Sequence, residues 1–193
     1  MQLQKLSWIV LAVSAVNAPV GAAEAPKAGL DLPQTYSATA FVQSGASGKS
    51  FGLTVYVTGW TSDGAVQEFA ATLKKGGPYA LVSALENTKD VGRVAPTGSV
   101  GNGFRIARIH QMPEGGFRII LATNRPITFP ELINGTRSRD YQFGIVVLNV
   151  DKDGKGTGTF APACKVKFNK KGELEIEHYG QKPLRLANVR LMK

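Results

Sequence analysis

Short runs in which every second residue is apolar, each closed by a glycine-containing turn, limit what this chain can fold into more than any other feature. Phe51, Leu53, Val55 and Val57 take one parity, with Thr54, Tyr56 and Thr58 on the other. A period of two built from β-branched and aromatic residues belongs to a half-buried strand. The same reasoning predicts strands over residues 36–43, 51–60, 104–110, 117–122, 141–150, 157–168, 173–178 and 184–191. Residues 112–116, 151–156 and 169–172 hold the Gly, Asp, Asn and Pro that turns require. In the 157–178 hairpin Lys165 and Lys167 are expected to face Glu173, Glu175 or Glu177 across the strands, while Val166, Leu174 and Ile176 go to the core.

The period changes once. Val66, Phe69, Ala70 and Leu73 fall at i, i+3, i+4 and i+7, a helical stripe, with Ser62 or Asp63 to cap its start and Lys74, Lys75 and Gly76 to end it. Pro78 suits the first position of a second short helix that packs Leu81, Val82 and Leu85 inward. The expected fold class is therefore α+β: a mainly antiparallel β-sheet, with two helices inserted after the second strand and covering one face.

The first 23 residues carry a different message. Lys5 precedes an apolar run from Leu6 to Val16, and Asn17, Ala18 and Pro19 break it before small Gly21, Ala22 and Ala23. That is the pattern of a cleavable signal peptide, with cleavage after Ala23 and a periplasmic or secreted product. The run is too short to span a bilayer, which takes about 20 residues, so no transmembrane segment is expected. Residues 24–34, rich in Ala and Pro, read as a flexible leader, and 35–193 as a single domain. Of 23 basic and 14 acidic residues only Lys5 falls in the signal, so the remainder holds 22 against 14, a balance of +8. Such a charge favours anionic partners: a small molecule, an acidic polysaccharide or an envelope component. The charges are dispersed with no basic tail, which argues against nucleic acid. Cys164, alone, cannot form an internal disulfide; its strand setting points to a buried, inert thiol.

Familiar chemical motifs fail on inspection. Gly48-Lys49-Ser50 ends like a phosphate-binding loop, but Gln43 stands where its first glycine belongs and a strand follows instead of a helix. Asp151-x-Asp153-Gly154 resembles the start of a calcium loop, yet its Gly comes two positions early and Pro162 sits at the twelfth position. His110 and His178 have no second ligand at metal-binding spacing, and Ser83 is not in a nucleophile elbow. No cofactor is expected. Three local features remain. Trp60 closes the second strand, where it caps the core or lines a pocket mouth. Arg125 sits in a turn with Asn124 and Pro126, and Arg137 and Arg139 flank Tyr141 in a loop where they can grip an anionic group or simply pair with Asp140 and Glu131.

Four stretches taken together, Tyr56 to Thr61, Leu121 to Ile127, Ser138 to Phe143 and Asp153 to Gly156, resemble segments of a group of short exported proteins of unknown function from soil bacteria, notably acidobacteria. The resemblance spans most of the chain beyond the signal. It implies a shared fold and no assigned activity, so no site residue follows from it. From the residues themselves the leading expectation is a non-catalytic binding or envelope-associated module for an anionic ligand or surface, using Trp60, Arg125, Arg137, Arg139 and Tyr141. The rivals are a small hydrolase using His110 or His178 with an acid such as Asp140, and an assembly protein that docks through an edge strand.

Overall fold

The structure, a computed structural model, describes residues 31–44, 47–127, 141–169, 172, 174–178 and 182–192. The expected signal segment, most of the leader, Glu131, Arg137, Arg139, Asp140, Lys170, Lys171 and Glu173 lie outside the described residues. In chain order the elements are β1 (Gln34–Ser44), β2 (Ser47–Val57), α1 (Asp63–Glu86), β3 (Gly92–Pro96), β4 (Asn102–Phe104), β5 (Ile106–Gln111), β6 (Phe117–Ala122), β7 (Phe143–Val150), β8 (Lys155–Phe168), β9 (Leu174–His178) and β10 (Leu184–Met192).

Every pairing is antiparallel, and the strands form one sheet in the order β4-β3-β2-β1-β10-β8-β7-β6-β5, with β9 extending the hairpin from β8. The two ends of this order, β4 and β5, are separated in sequence by Arg105 alone. The sheet therefore curls until its edges meet, giving a nearly closed barrel. Gly156 and Gly158 on the inner side of β8 permit the tight curl: a Cβ at either would lie 1.9 Å from the Asn149 carbonyl oxygen or 2.4 Å from that of Val147.

Closure falls to the segment leaving β2. After Val57 the amides of Thr58 and Gly59 both turn to the Val91 carbonyl, at 2.9 and 3.2 Å, which ends the strand earlier than the 51–60 expected. The chain then runs along β5: Thr61 N–H donates to the Ala107 carbonyl (2.8 Å), and Ala107 N–H donates back to Thr61 Oγ1 (3.0 Å). A threonine hydroxyl thus replaces a strand carbonyl at the seam. Arg108 reinforces it from outside, donating to the Thr61 carbonyl (2.6 Å) and pairing with Asp63 at the start of α1.

Two apolar clusters result. The barrel interior is filled by Tyr36, Leu53, Val55, Phe104, Ile119, Leu121, Leu148 and Phe160, all fully buried. The second cluster lies outside the barrel, where Leu73, Leu81 and Leu85 of α1 cover Phe143, Ile145, Val147, Ala161, Cys164 and Val166. Strand β7 is accordingly apolar on both faces: Phe143, Ile145 and Val147 meet the helix, while Val146, Leu148 and Val150 meet the interior. Burying each such side chain contributes on the order of 1.5–3 kcal/mol.

Among the described residues the two expected helices run on as one helical element, α1, kinked between them. Ser62 caps it by accepting from Ala65 N–H (3.3 Å), and Lys74, Lys75 and Gly76 lead into the break between its two halves rather than to the end of the element. The break is confined to Gly77, at φ 72° and ψ −171°, a conformation glycine adopts without a Cβ clash. Pro78 next to it has no N–H to lose, so the helix resumes at once and stops at Asn87, whose N–H bonds the Leu85 carbonyl. Other expectations transfer directly. Lys165 faces Glu177 and Lys167 faces Glu175, with Val166, Leu174 and Ile176 in the second cluster. Asp151 Oδ1 accepts from the amides of Asp153 (2.8 Å) and Lys155 (2.9 Å), so the aspartate of the calcium-like motif ties a hairpin turn. Among the described residues no helix is long and apolar enough to cross a membrane.

Candidate functional site

Among the described residues, the side chains singled out in the sequence have separate sets of partners. Trp60 lies in the link between β2 and α1, half-buried against the interior cluster and next to the seam residue Thr61. Tyr141, just before β7, reaches the β8–β9 hairpin: its hydroxyl donates to Glu177 Oε1 (3.0 Å), while Lys167 Nζ donates to Glu177 Oε2 (3.0 Å). The Lys167 bond first, and the Tyr141 bond second, hold the Glu177 carboxyl below its usual range. Arg137 and Arg139 lie outside the described residues.

Arg125 is exposed on the turn after β6. Thr123 organises that turn. Its hydroxyl donates to the Arg125 carbonyl and accepts from Gly144 N–H (2.8 Å), while Ile127 N–H reaches the Pro162 carbonyl (2.8 Å). The turn borders a polar cleft of about 230 Å³, shared by Glu86, Asp90, Gly103, Arg105, Asn124 and Arg125. Asp90 and the backbone of Thr88 already engage Arg105, the first through a 3.3 Å ion pair. With two carboxylates and two guanidiniums the cleft has no net charge. It lacks the excess of cations that capturing an anion would require.

The histidines stand apart from it. His110 is exposed on β5, opposite Arg118. Partial burial first, and then the charges of Arg108 and Arg118, push its pKa down, against a smaller upward pull from Asp63. Burial lowers His178 likewise. Among the described residues neither imidazole hydrogen-bonds a carboxylate, and no three His, Cys, Asp or Glu gather where they could hold a metal ion. Cys164 is fully buried, with its thiol pushed up to about 12 by that burial, far from a nucleophile's range.

The excess of cations lies elsewhere, on the outer face of β3, β2, β1 and β10. These adjacent strands contain Lys49, Arg93, Arg185 and Arg190 and no Asp or Glu. On β1 the inward residues Tyr36, Ala38 and Ala40 alternate with outward Thr35, Ser37, Thr39 and Phe41. Register then builds rows across the face: Arg93–Tyr56–Thr35–Met192, Ala95–Thr54–Ser37–Arg190 and Ser50–Phe41–Arg185. The Arg93 guanidinium carbon sits 4.2 Å from the centroid of the Tyr56 ring, which holds that cation flat on the sheet. Arg185 and Arg190 are exposed and make no ion pair among the described residues. The result is a curved face of half-buried hydroxyls and exposed arginines on strands without a carboxylate, with Ala95 buried at its β3 edge, on the side of the barrel that α1 leaves uncovered.

None of Phe41, Arg93, Arg185 or Arg190 was singled out from the sequence. The one available signal was the run of hydroxyls at alternate positions 35, 37 and 39, which marks a solvated strand face. Comparison of the chain with family models, curated proteins and solved structures returns no match.

Proposed function

We propose that this chain is an exported, non-catalytic module that binds an anionic partner through the outer face of β3, β2, β1 and β10. One observation carries the reading: Arg93, Arg185 and Arg190 share a continuous sheet face whose four strands contain no carboxylate. Such a surface attracts anions over a Debye length of about 8–10 Å and has no internal acids to cancel it. The packed barrel interior supports the same conclusion, since Tyr36, Phe104 and Phe160 occupy the space where a small ligand sits in wider barrels. Export rests on the Lys5, Leu6–Val16 and Ala23 pattern.

The test compares the wild-type protein with the combined Arg93→Gln, Arg185→Gln, Arg190→Gln variant against two anionic probes, soluble polygalacturonate and vesicles containing phosphatidylglycerol. Wild type is expected to bind at least one of them, more weakly as salt rises, with the variant weakened at least about tenfold. Equal binding by the two proteins, or no binding to either probe, overturns the proposal. Exposure of Arg125 at its cleft favours a second reading, in which Arg125 with Arg137 and Arg139 grips the anion. Alanine at those three positions distinguishes the two sites.

A further inference from the structure

Resting on that reading of the arginine face, we infer that its partner is a lipid bilayer bearing anionic headgroups, and that Phe41 and Met192 enter the boundary between headgroups and acyl chains. A purely electrostatic face needs no exposed apolar groups, yet this one carries two. Phe41 is 44% exposed and Met192 53% exposed, although Phe41 adjoins the buried Ala40 and Met192 the partly buried Leu191. Register places them among the cations: Arg185 is the direct cross-strand neighbour of Phe41, and Met192 ends the row that begins with Arg93 and Tyr56.

The dimensions suit one surface. From Thr35 to Phe41 the strand rises about 20 Å, and four strands span about 14 Å. Neighbouring arginines on this face, Arg93 to Arg190 and Arg190 to Arg185, therefore lie about 13–16 Å apart, within two Debye lengths, and act together on a planar array of charges. Arginine side chains reach phosphates laterally while their stems stay apolar, and the aromatic ring of Tyr56 favours the interfacial layer. Ser37, Thr39, Ser50 and Thr54 fill the rest of the face with short hydroxyls that leave it even. A soluble acidic polysaccharide satisfies the arginines equally well but supplies no acyl region for Met192. The apolar pair is what favours the bilayer.

The experiment uses the full chain after the expected signal, with a Phe41→Trp variant and the combined arginine-to-glutamine variant. Vesicles are of phosphatidylethanolamine with a minority of phosphatidylglycerol, or of phosphatidylcholine alone. Wild type is expected to sediment with the first and not the second. The loss on removing the three arginines is expected to be about fivefold per charge, on the order of a hundredfold together. Indole fluorescence from position 41 shifts blue and is quenched by bromine-labelled acyl chains, with Trp60 in the parent protein as the background. Arginine-dependent binding to polygalacturonate without vesicle binding overturns the bilayer and leaves the anion-binding function standing. Vesicle binding with an unquenched indole overturns the insertion of Phe41. Binding to neither probe overturns both proposals.

Discussion

Replacing Thr61 by valine tests how the barrel closes. The change keeps the shape of the side chain and the backbone bond from Thr61 N–H to the Ala107 carbonyl, and removes only Oγ1. That oxygen accepts the amide of Ala107 at 3.0 Å, and Ala107 is fully buried, so water has no easy access to the orphaned N–H. An unsatisfied buried donor costs about 1–3 kcal/mol. The added methyl, at a position only 9% exposed, recovers up to ~0.8 kcal/mol. The net loss is then on the order of 1–2 kcal/mol, a fall in Tm of about 2–8 °C for a domain of this size. Urea unfolding monitored by circular dichroism measures the stability, and amide hydrogen exchange shows where it is lost. The Ala107 amide and its neighbours on β5 should exchange much faster, while β7 amides should speed up only by the global change. Thr61→Ser, which retains the hydroxyl, is expected to stay close to wild type. If Thr61→Val matches wild type in both stability and Ala107 protection, the hydroxyl does not close the seam.

Three further predictions concern Tyr36, the two histidines and Cys164. Tyr36 donates to Gln34 Oε1 (2.8 Å) inside the barrel while Gln34 Nε2 finds no partner, so Tyr36→Phe alone costs about 1–3 kcal/mol. The double change Tyr36→Phe, Gln34→Leu should recover most of that loss; a coupling energy near zero in the cycle refutes the pairing. His110 and His178 both have folded pKa values below 6.5, so on acidification the unfolded chain takes up protons first. Their contribution is full above about pH 6.5 and is lost as pH falls through the folded values; the urea midpoint should drop between about pH 7.5 and 5, and His110→Gln with His178→Gln should flatten the profile. A wild-type midpoint that stays level over that range contradicts the shifts. Cys164, with its thiol at about 12 and donating to the Phe143 carbonyl (3.3 Å), should resist a thiol reagent at mildly alkaline pH until urea unfolds the chain. Prompt labelling of the native protein would show that α1 does not cover it.

Much of the architecture is local and could be read directly. Leu53, Val55 and Val57 alternate with Thr54 and Tyr56 because side chains in a strand point to opposite faces in turn, and nothing distant is needed to predict that. Ser62 caps α1 through a bond three residues away, and Lys167 meets the glutamates of β9 across a short hairpin. The helix count shows where local reading fails. Gly77-Pro78 reads as the join between two helices; the break stands at Gly77, but the second half resumes at once, with Leu81 and Leu85 covering β7 and β8, so the two form one element.

The site lay beyond reach for a related reason. Alternation tells which residues share a face, not which face is covered. In β7 the odd residues Phe143, Ile145 and Val147 were legible as a stripe, yet only the tertiary structure turns them toward α1 and gives the interior to Val146, Leu148 and Val150. The arginine face depends on the pairing of β1 with β10, which joins the first strand to the last, and on that pairing alone Phe41 meets Arg185 and Ser37 meets Arg190. The sequence by itself determined most of the strands, though not the short β3 and β4, together with their turns and the excess of positive charge, because these depend on residues a few positions apart. Tertiary structure decided where the seam closes, which half of the barrel the helix covers and where the arginines collect, because register between distant strands is set by closing the whole sheet.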